Sequence, residues 1–333
     1  MKTPVFSVII PTYNRASLVA EAIGSVLAQT CDNYEIIVMD DGSTDDTREV
    51  VGRFEVAHGG CVRYLHQKNQ GKSVALNNAL PHARGEFIAF LDSDDSWLPE
   101  LLEWQMRAIT QFGSQYPCFT DATYVNNPHL QMTAFEFAGR KYEQTLGMID
   151  DPLGHLLGSR SGIYMQTMAL HRSLLERAGE FDPKLKVGQD TDLLFRLALV
   201  APRFSYVNKP LVKIDRTMNR KDGLVELLVT DESLRLQERE YLYDKLLGRS
   251  GQFQPNIRKQ LRARLAEIHS EWANLYLVSR QYGKARQAMS KAVSTQLTAK
   301  AAAKLLLIAV APSVARREHL RRDVERAKQR IIA

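Results

Sequence analysis

Glu86-Phe87-Ile88-Ala89-Phe90-Leu91-Asp92-Ser93-Asp94-Asp95 is an apolar run that ends abruptly in three carboxylates within four positions. Its length and its Phe and Ile content suit a strand buried in a mostly parallel sheet. Three carboxylates at the end of a buried strand are costly unless a cation shares them. With no Cys or His nearby, the oxygen-only set suits a hard ion, Mg2+ or Mn2+, held jointly with phosphate oxygens.

The same design recurs on the N-terminal side. Val5–Ile10 leads into Pro11-Thr12-Tyr13-Asn14, Glu35–Met39 leads into Asp40-Asp41-Gly42-Ser43, and Val62–Leu65 reads as a further strand. Leu18, Ala22, Ile23, Val26 and Leu27 recur at helical spacing between the first two strands. Asn14 reads as a cap for that helix. A second helix is predicted near Thr44, capped by Ser43 or Thr44, a third from Lys72 to Ala83, and a fourth from Trp97 to Phe112 with Pro99 in its first turn. Alternating strands and helices give an α/β sheet, and such sheets bind ligands at their strand ends.

Beyond residue 117 the pattern is mixed. Cys118–Val125, Met132–Phe137, Phe204–Val207 and Leu211–Ile214 read as strands around a helix at Thr191–Val200. After Asp222 nothing reads as a strand, and Leu265–Val293 resembles one tetratricopeptide-like helix pair. The domains are therefore residues 1–221, α/β, and 222–333, all helical with a basic tail.

Charge follows the same division. Residues 1–215 hold 20 Lys+Arg against 26 Asp+Glu, and the remainder hold 24 against 12, giving +6 overall. With 44% hydrophobic and 25% charged residues the chain is globular, which excludes disorder and fibrous repeats. Three scattered cysteines argue against a disulfide framework or a zinc site, and no signal peptide is visible, so a reducing cytoplasm is expected. Leu305 to Pro312 is too short for the roughly 18 residues that span a bilayer. With the arginines that follow, residues 297–333 could instead meet an anionic membrane surface or pack as ordinary solvated helix.

Several residues at the strand ends suggest chemistry. Tyr13 could stack on a flat base or belong to a plain turn, and Asp41 could accept hydrogen bonds from a uracil or ribose or belong to a helix-capping turn. Asn69-Gln70-Gly71-Lys72-Ser73 offers backbone amides and one cation to a phosphate, without the spacing of a Walker A loop. No GxGxxG follows the first strand, which removes the main support for a dinucleotide cofactor. Asp190, in Gly188-Gln189-Asp190-Thr191-Asp192, opens a helix, where the dipole favours an ionised carboxylate able to act as general base or merely as a cap.

Together these residues resemble the family 2 glycosyltransferases of the GT-A fold (Rossmann-like, nucleotide-diphospho-sugar transferase). The match runs through residues 7–15, 38–45, 69–71 and 83–95, then Phe181-Asp182 and residues 188–193. The resemblance implies inverting transfer of a sugar from a nucleotide diphosphate donor, a UDP-sugar favoured, to a hydroxyl of a glycan or lipid-linked acceptor in bacterial surface polysaccharide synthesis. It implies Pro11, Tyr13, Asp41, Asn69, Lys72, Asp92 and Asp94 in substrate binding, Asp94 and Asp95 on Mn2+ or Mg2+, and Asp190 as catalytic base. Gln189 stands where the family usually has Glu, and Lys213-Ile214-Asp215-Arg216 lacks the His often found there.

The rival readings are a nucleotidyltransferase, which lacks its Gly-rich loop here, and a processive synthase, which lacks its membrane helices and Gln-x-x-Arg-Trp element. A catalytically inactive nucleotide-binding scaffold acting through the helical tail is the alternative from another class. A nucleic-acid binder is disfavoured because the basic helices have little aromatic interleaving.

Overall fold

The computed structural model describes residues 3–158, 161–217 and 231–332. The chain divides into two compact units, Met1–Asp222 and Gly223–Ala333.

The first unit is built on one sheet that holds nine strands among the described residues. β1 (Phe6–Thr12) is buried along its whole length and β2 (Tyr34–Asp40) along nearly all of it. Strands of that kind need partners at both edges and cover on both faces. β1 pairs in parallel with β2 and with β4 (Phe87–Phe90), and β2 in parallel with β3 (Val62–His66). Past β4 the sheet turns antiparallel through β8 (Met168–His171) to β6 (Cys118–Val125), which lies parallel to the long β9 (Phe204–Asp215). Two short strands, β5 (Ser96–Trp97) and β7 (Leu146–Ile149), pair antiparallel with β9.

Alternation along β1 sends Phe6, Val8 and Ile10 to one core and Ile9 to the other. The first core is closed by α1 (Ala16–Leu27), α2 (Thr47–Ala57) and α4 (Leu101–Phe112), with Val19, Ala22, Ile23 and Val26 as the buried stripe of α1. The second is closed by α3 (Lys72–Ala79), α7 (Arg172–Ala178) and α8 (Gln189–Val200). β1, β2 and β4 therefore end side by side, and their terminal acidic and polar residues meet at one rim.

Several local expectations are corrected. Met132–Phe137 is not a strand: Thr133 and Glu136 form a reciprocal capping box that starts the short helix α5 (Ala134–Phe137). The fourth helix begins at Leu101, because Ser96 and Trp97 pair with Lys213 and Val212 of β9. The third ends at Ala79, and Leu80–His82, which contains Pro81, tightens into a 3-10 turn. The second starts at Thr47, since Ser43 and Thr44 are engaged elsewhere: the Asn14 amide donates to Ser43 Oγ, and the Thr44 amide donates to Asn14 Oδ1. Asn14, at φ 51°, therefore ties two loops together and does not cap α1. Phe204–Val207 and Leu211–Ile214 are one strand, with Pro210 tolerated at a register shift against β6. Between β7 and β8 lies α6 (Pro152–Leu157).

The second unit is helical: α9 (Glu232–Gly248), α10 (Pro255–Val278), α11 (Tyr282–Thr295), α12 (Ala299–Val310) and α13 (Pro312–Ile332). The helix pair expected over Leu265–Val293 falls on α10 and α11, joined by a turn in which Arg280 takes a left-handed φ of 59°. Ala273, Leu277, Ala285, Met289, Ala292 and Ile308 form one core cluster of this unit, and Leu236, Leu246, Leu261 and Ile268 are buried on α9 and α10.

Candidate active site

At the end of β2, two adjacent carboxylates have separate local tasks. Asp40 accepts from the Ser43 amide (2.8 Å) and the Tyr64 hydroxyl (2.6 Å). Asp41 accepts from Gln67 Nε2 (2.7 Å) and from the amides of Gln70 and Gly71 (both 2.8 Å), so it moors the Asn69-Gln70-Gly71 loop. Gly42 is required at this point: at φ +85° any Cβ would lie 2.7 Å from the Asn69 nitrogen. Tyr13 is 46% exposed at the same rim, Asn69 is exposed, and Pro11 is buried inside β1.

The carboxylates of Asp92, Asp94 and Asp95 bring one oxygen each to within 4.8 Å of one another. Each is held from a different element. Lys72 Nζ lies 2.6 Å from Asp92 Oδ1, and Arg15 Nη1 lies 2.9 Å from Asp94 Oδ2. Asp95 is buried and accepts from Gln166 Nε2 (2.7 Å) and the Asp215 amide (2.8 Å). Burial, with Asp92 and Asp94 beside it, pushes the Asp95 carboxyl well above the usual carboxylate range. The cluster is thus short of positive charge, and its oxygen-only donors fit a divalent hard ion. Asp95 has the hydrogen-bonded outer support typical of a metal-ligating carboxylate.

Asp190 reaches the same place from the other core. α3 fastens the segment before α8: Asn77 Nδ2 donates to the Phe181 carbonyl, the Phe181 amide returns a bond to Asn77 Oδ1, and Ser73 Oγ donates to the Leu185 carbonyl. Lys72, at the start of α3, therefore stands between the acidic cluster and Asp190, whose Oδ2 is 3.9 Å from Nζ. Burial works against the ammonium, but Asp190 and Asp92 together raise its pKa above the ordinary lysine value. Burial also raises the Asp190 pKa; Lys72 opposes that shift and Asp92 adds to it. Asp190 Oδ1 is shielded from solvent and has no hydrogen-bond partner. Further along α8, Arg196 bonds Asp192 and the carbonyls of Ala178 and Gly179, fixing the helix against α7.

Motif reading brings Asp92, Asp94, Asp95, Lys72 and Asp190 to one locus, with Tyr13, Asp41 and Asn69 along the adjoining rim. It passed over Gln166, which lies outside every motif, and the pairing of Arg15 with Asp94. Arg216, in the segment that lacks the His, lies 5.7 Å and 5.8 Å over the rings of Tyr124 and Tyr164.

The model of glycosyl transferase family 2 matches residues 7–175, just over half of the chain. The chain belongs to that family. The matched range contains Tyr13, Asp41, Asn69, Lys72, Asp92, Asp94, Asp95 and Gln166, and it ends before Asp190. An uncharacterized glycosyltransferase of Rickettsia prowazekii (strain Madrid E) is 30% identical over 200 residues, about 60% of each chain. TuaG of Bacillus subtilis (strain 168), a family relative named for teichuronic acid biosynthesis, is 42% identical over 109 residues, covering 32% of this chain and 43% of TuaG. The matches thus span less than two thirds of these relatives' own length. Among solved structures, S. aureus TarS 1-349 in complex with UDP-GlcNAc aligns with TM-score 0.69 at 20% identity, covering 94% of this chain and 90% of that one. A Pyrobaculum calidifontis mannosyltransferase with GDP-Man and Mn2+ aligns with TM-score 0.57 at 20% identity, covering 96% and 85%. These are GT-A glycosyltransferases, and the family 2 domain here has that fold, followed by a helical region.

Proposed function

We propose that this glycosyltransferase moves a sugar from a nucleotide diphosphate donor, a UDP-sugar, to a hydroxyl of a glycan or lipid-linked acceptor with inversion. The observation that carries the reading is Asp190 Oδ1, a desolvated acceptor with no donor of its own. A buried acceptor left unpaired calls for a partner from outside the chain, and an acceptor hydroxyl supplies one. Asp190 takes that proton as the hydroxyl oxygen attacks the anomeric carbon and the bond to the diphosphate oxygen breaks on the opposite face. One displacement inverts the centre, with no covalent carboxylate intermediate. Lys72 supports both halves of the site, holding Asp92 and offsetting the burial that would neutralise Asp190.

On the donor side, Tyr13 lies against the base, with Asp41 and the loop it moors around the nucleoside. Asp92 and Asp94 reach the ribose and phosphate side. Asp94 and Asp95 hold Mn2+ or Mg2+, which when bound supplies Lewis-acid stabilisation to the departing diphosphate. The Mn2+-containing mannosyltransferase of the same fold and the clustered carboxylates support this assignment.

Melting the chain with a panel of nucleotide sugars and Mn2+ tests the reading. A true donor at a hundredfold its Kd stabilises by about 2.7 kcal/mol, and slow metal-dependent release of nucleoside diphosphate accompanies it. Binding with no release and no transfer to any acceptor would favour the inactive scaffold.

The same reading has the enzyme in the cytoplasm, at the inner face of the membrane where lipid-linked acceptors for surface polysaccharide would lie; the name of TuaG supports the polysaccharide part of that reading alone. No helix among the described residues is long and apolar enough to cross a membrane. Leu305, Leu307 and Ile308 pack into the helical core, leaving Leu306 and Val310 exposed ahead of Arg316, Arg317, Arg321 and Arg322. Near an anionic leaflet each basic residue contributes about 1 kcal/mol, so surface attachment would be largely electrostatic. Co-sedimentation with anionic vesicles is expected at low salt and lost at high salt. Equal binding by a chain ending at Gln296 would remove the tail from the explanation.

A further inference from the structure

Within the helical unit, α10, α11, α12 and α13 line a half-open cavity of about 610 Å³. Its wall is apolar at Leu277, Met289, Leu307 and several alanines, and Lys304 enters it from α12. Lys304 Nζ donates to Asn274 Oδ1 (2.7 Å), Ser270 Oγ (2.9 Å) and, at 3.4 Å, the Ser270 carbonyl. All three acceptors are neutral. Among the described residues, the charged or titratable groups around it are Lys300 on its own helix, Glu267 on α10, and Glu318, His319 and Arg322 on α13; α11 offers Met289 and Ala292. Glu318 pairs with Arg322 (2.9 Å) and Glu267 with Arg264 (3.1 Å). Neither carboxylate is paired with Lys304. Burial, then the like charges of Lys300 and Arg322, bring the Lys304 pKa down to about 8.

A partly buried cation facing other cations is unfavourable, and an entering anion reverses the balance. The cavity volume says more about that anion. A water occupies roughly 30 Å³, so a bare phosphate, a few waters in size, would leave most of the space empty. Sites of this size hold small organic molecules with one or two fixed polar groups. The long bond to the Ser270 carbonyl is the one an incoming oxygen can replace.

We propose that this cavity binds a phosphate monoester carrying an apolar chain, the phosphoryl oxygens on Lys304 and the chain along Leu277, Met289 and Leu307. The site is independent of the transferase reading. The phosphate could belong to a lipid headgroup or to a soluble ester.

Octyl phosphate below its micelle concentration, titrated calorimetrically into the full chain, tests the proposal. Saturable binding is expected at pH 7, at least tenfold tighter than inorganic phosphate and at least tenfold weaker at pH 9.5. The direction is diagnostic: a phosphate monoester has its second pKa near 6, so its charge is constant over that range while Lys304 loses its own. Binding near pH 8 should also take up a proton, read from buffers of different ionisation enthalpy. Lys304→Met should abolish binding and Lys304→Arg keep it. Undiminished binding by a folded Lys304→Met protein would overturn the proposal, as would parent affinity that does not fall by pH 9.5. Inorganic phosphate binding as tightly as octyl phosphate would overturn it as well. If Lys304→Met does not fold, the pH series of the parent decides. Displacement of octyl phosphate by phosphatidic acid vesicles points to a lipid source, and failure of displacement to a soluble ester; the site stands in either case.

Discussion

Replacing Asp190 by Asn is expected to lower sugar transfer about a thousandfold, within the span general bases supply, and to leave nucleotide affinity nearly unchanged. The two readouts separate because Asp190 is the remote end of the Lys72 bridge, 3.9 Å from Nζ, while Asp92 is at 2.6 Å. Lys72 keeps its close partner in the variant, so the rim that meets the donor is preserved. Asn is nearly isosteric and adds no cavity, and Oδ1 already lacks a hydrogen bond to lose. Thermal stability should still fall, by about 0.5–3 kcal/mol, because the variant removes one of the two carboxylates that offset the burial of Lys72. Initial rates of transfer, with UDP titrated in parallel, decide it. Retention of more than a tenth of the parent rate would remove Asp190 from the base position.

The N-terminal half of the sheet was legible because β1, β2 and β4 are continuous apolar runs, and only a strand covered on both faces tolerates that pattern. Their polar ends were legible for the converse reason: adjacent carboxylates such as Asp40 and Asp41 have no packing role, so they stand out against the strand. The later part was harder to read. β7 and β8 have four residues each, and β5 has two, too short for a period of two to register. Met132–Phe137 is mostly apolar and carries two Phe, like a strand, yet its polar residues Thr133 and Glu136 are three apart and form the capping box that starts a helix. Site contacts divided in the same way. Asp92, Asp94 and Asp95 are neighbours in sequence and share a locus by necessity. Gln166 meets Asp95 across 71 positions, from a three-residue 3-10 turn too short to show a period, and only the assembled sheet brings them together. The Lys72 bridge is intermediate: its loop was recognisable, but its reach to Asp190 depends on the Asn77 and Ser73 bonds to residues 181 and 185.

The second large effect is expected from neutralising two members of the acidic cluster. Asp94→Asn combined with Asp95→Asn should abolish the gain in UDP affinity that Mn2+ gives the parent, a gain of tenfold or more if the ion bridges protein and diphosphate. Asn is preferable to Ala at position 95. Ala would strand Gln166 Nε2 and the Asp215 amide in a buried setting, at about 1–3 kcal/mol for each unsatisfied group. Asn keeps one acceptor for the Asp215 amide, and the Gln166 amide can turn to offer its oxygen to the new Nδ2. Without metal the parent holds three carboxylates within 4.8 Å, and the raised Asp95 pKa reflects that crowding as well as burial. Neutralising the pair relieves repulsion inside the cluster, while Asp94→Asn loosens the ion pair with Arg15, so the two effects oppose and the metal-free variant should melt close to the parent. That pairing of results, lost metal response with stability intact, cannot come from unfolding. Calorimetry of UDP with and without Mn2+, beside a melting curve, reads both quantities. The same Mn2+ enhancement in variant and parent would place the ion at other residues.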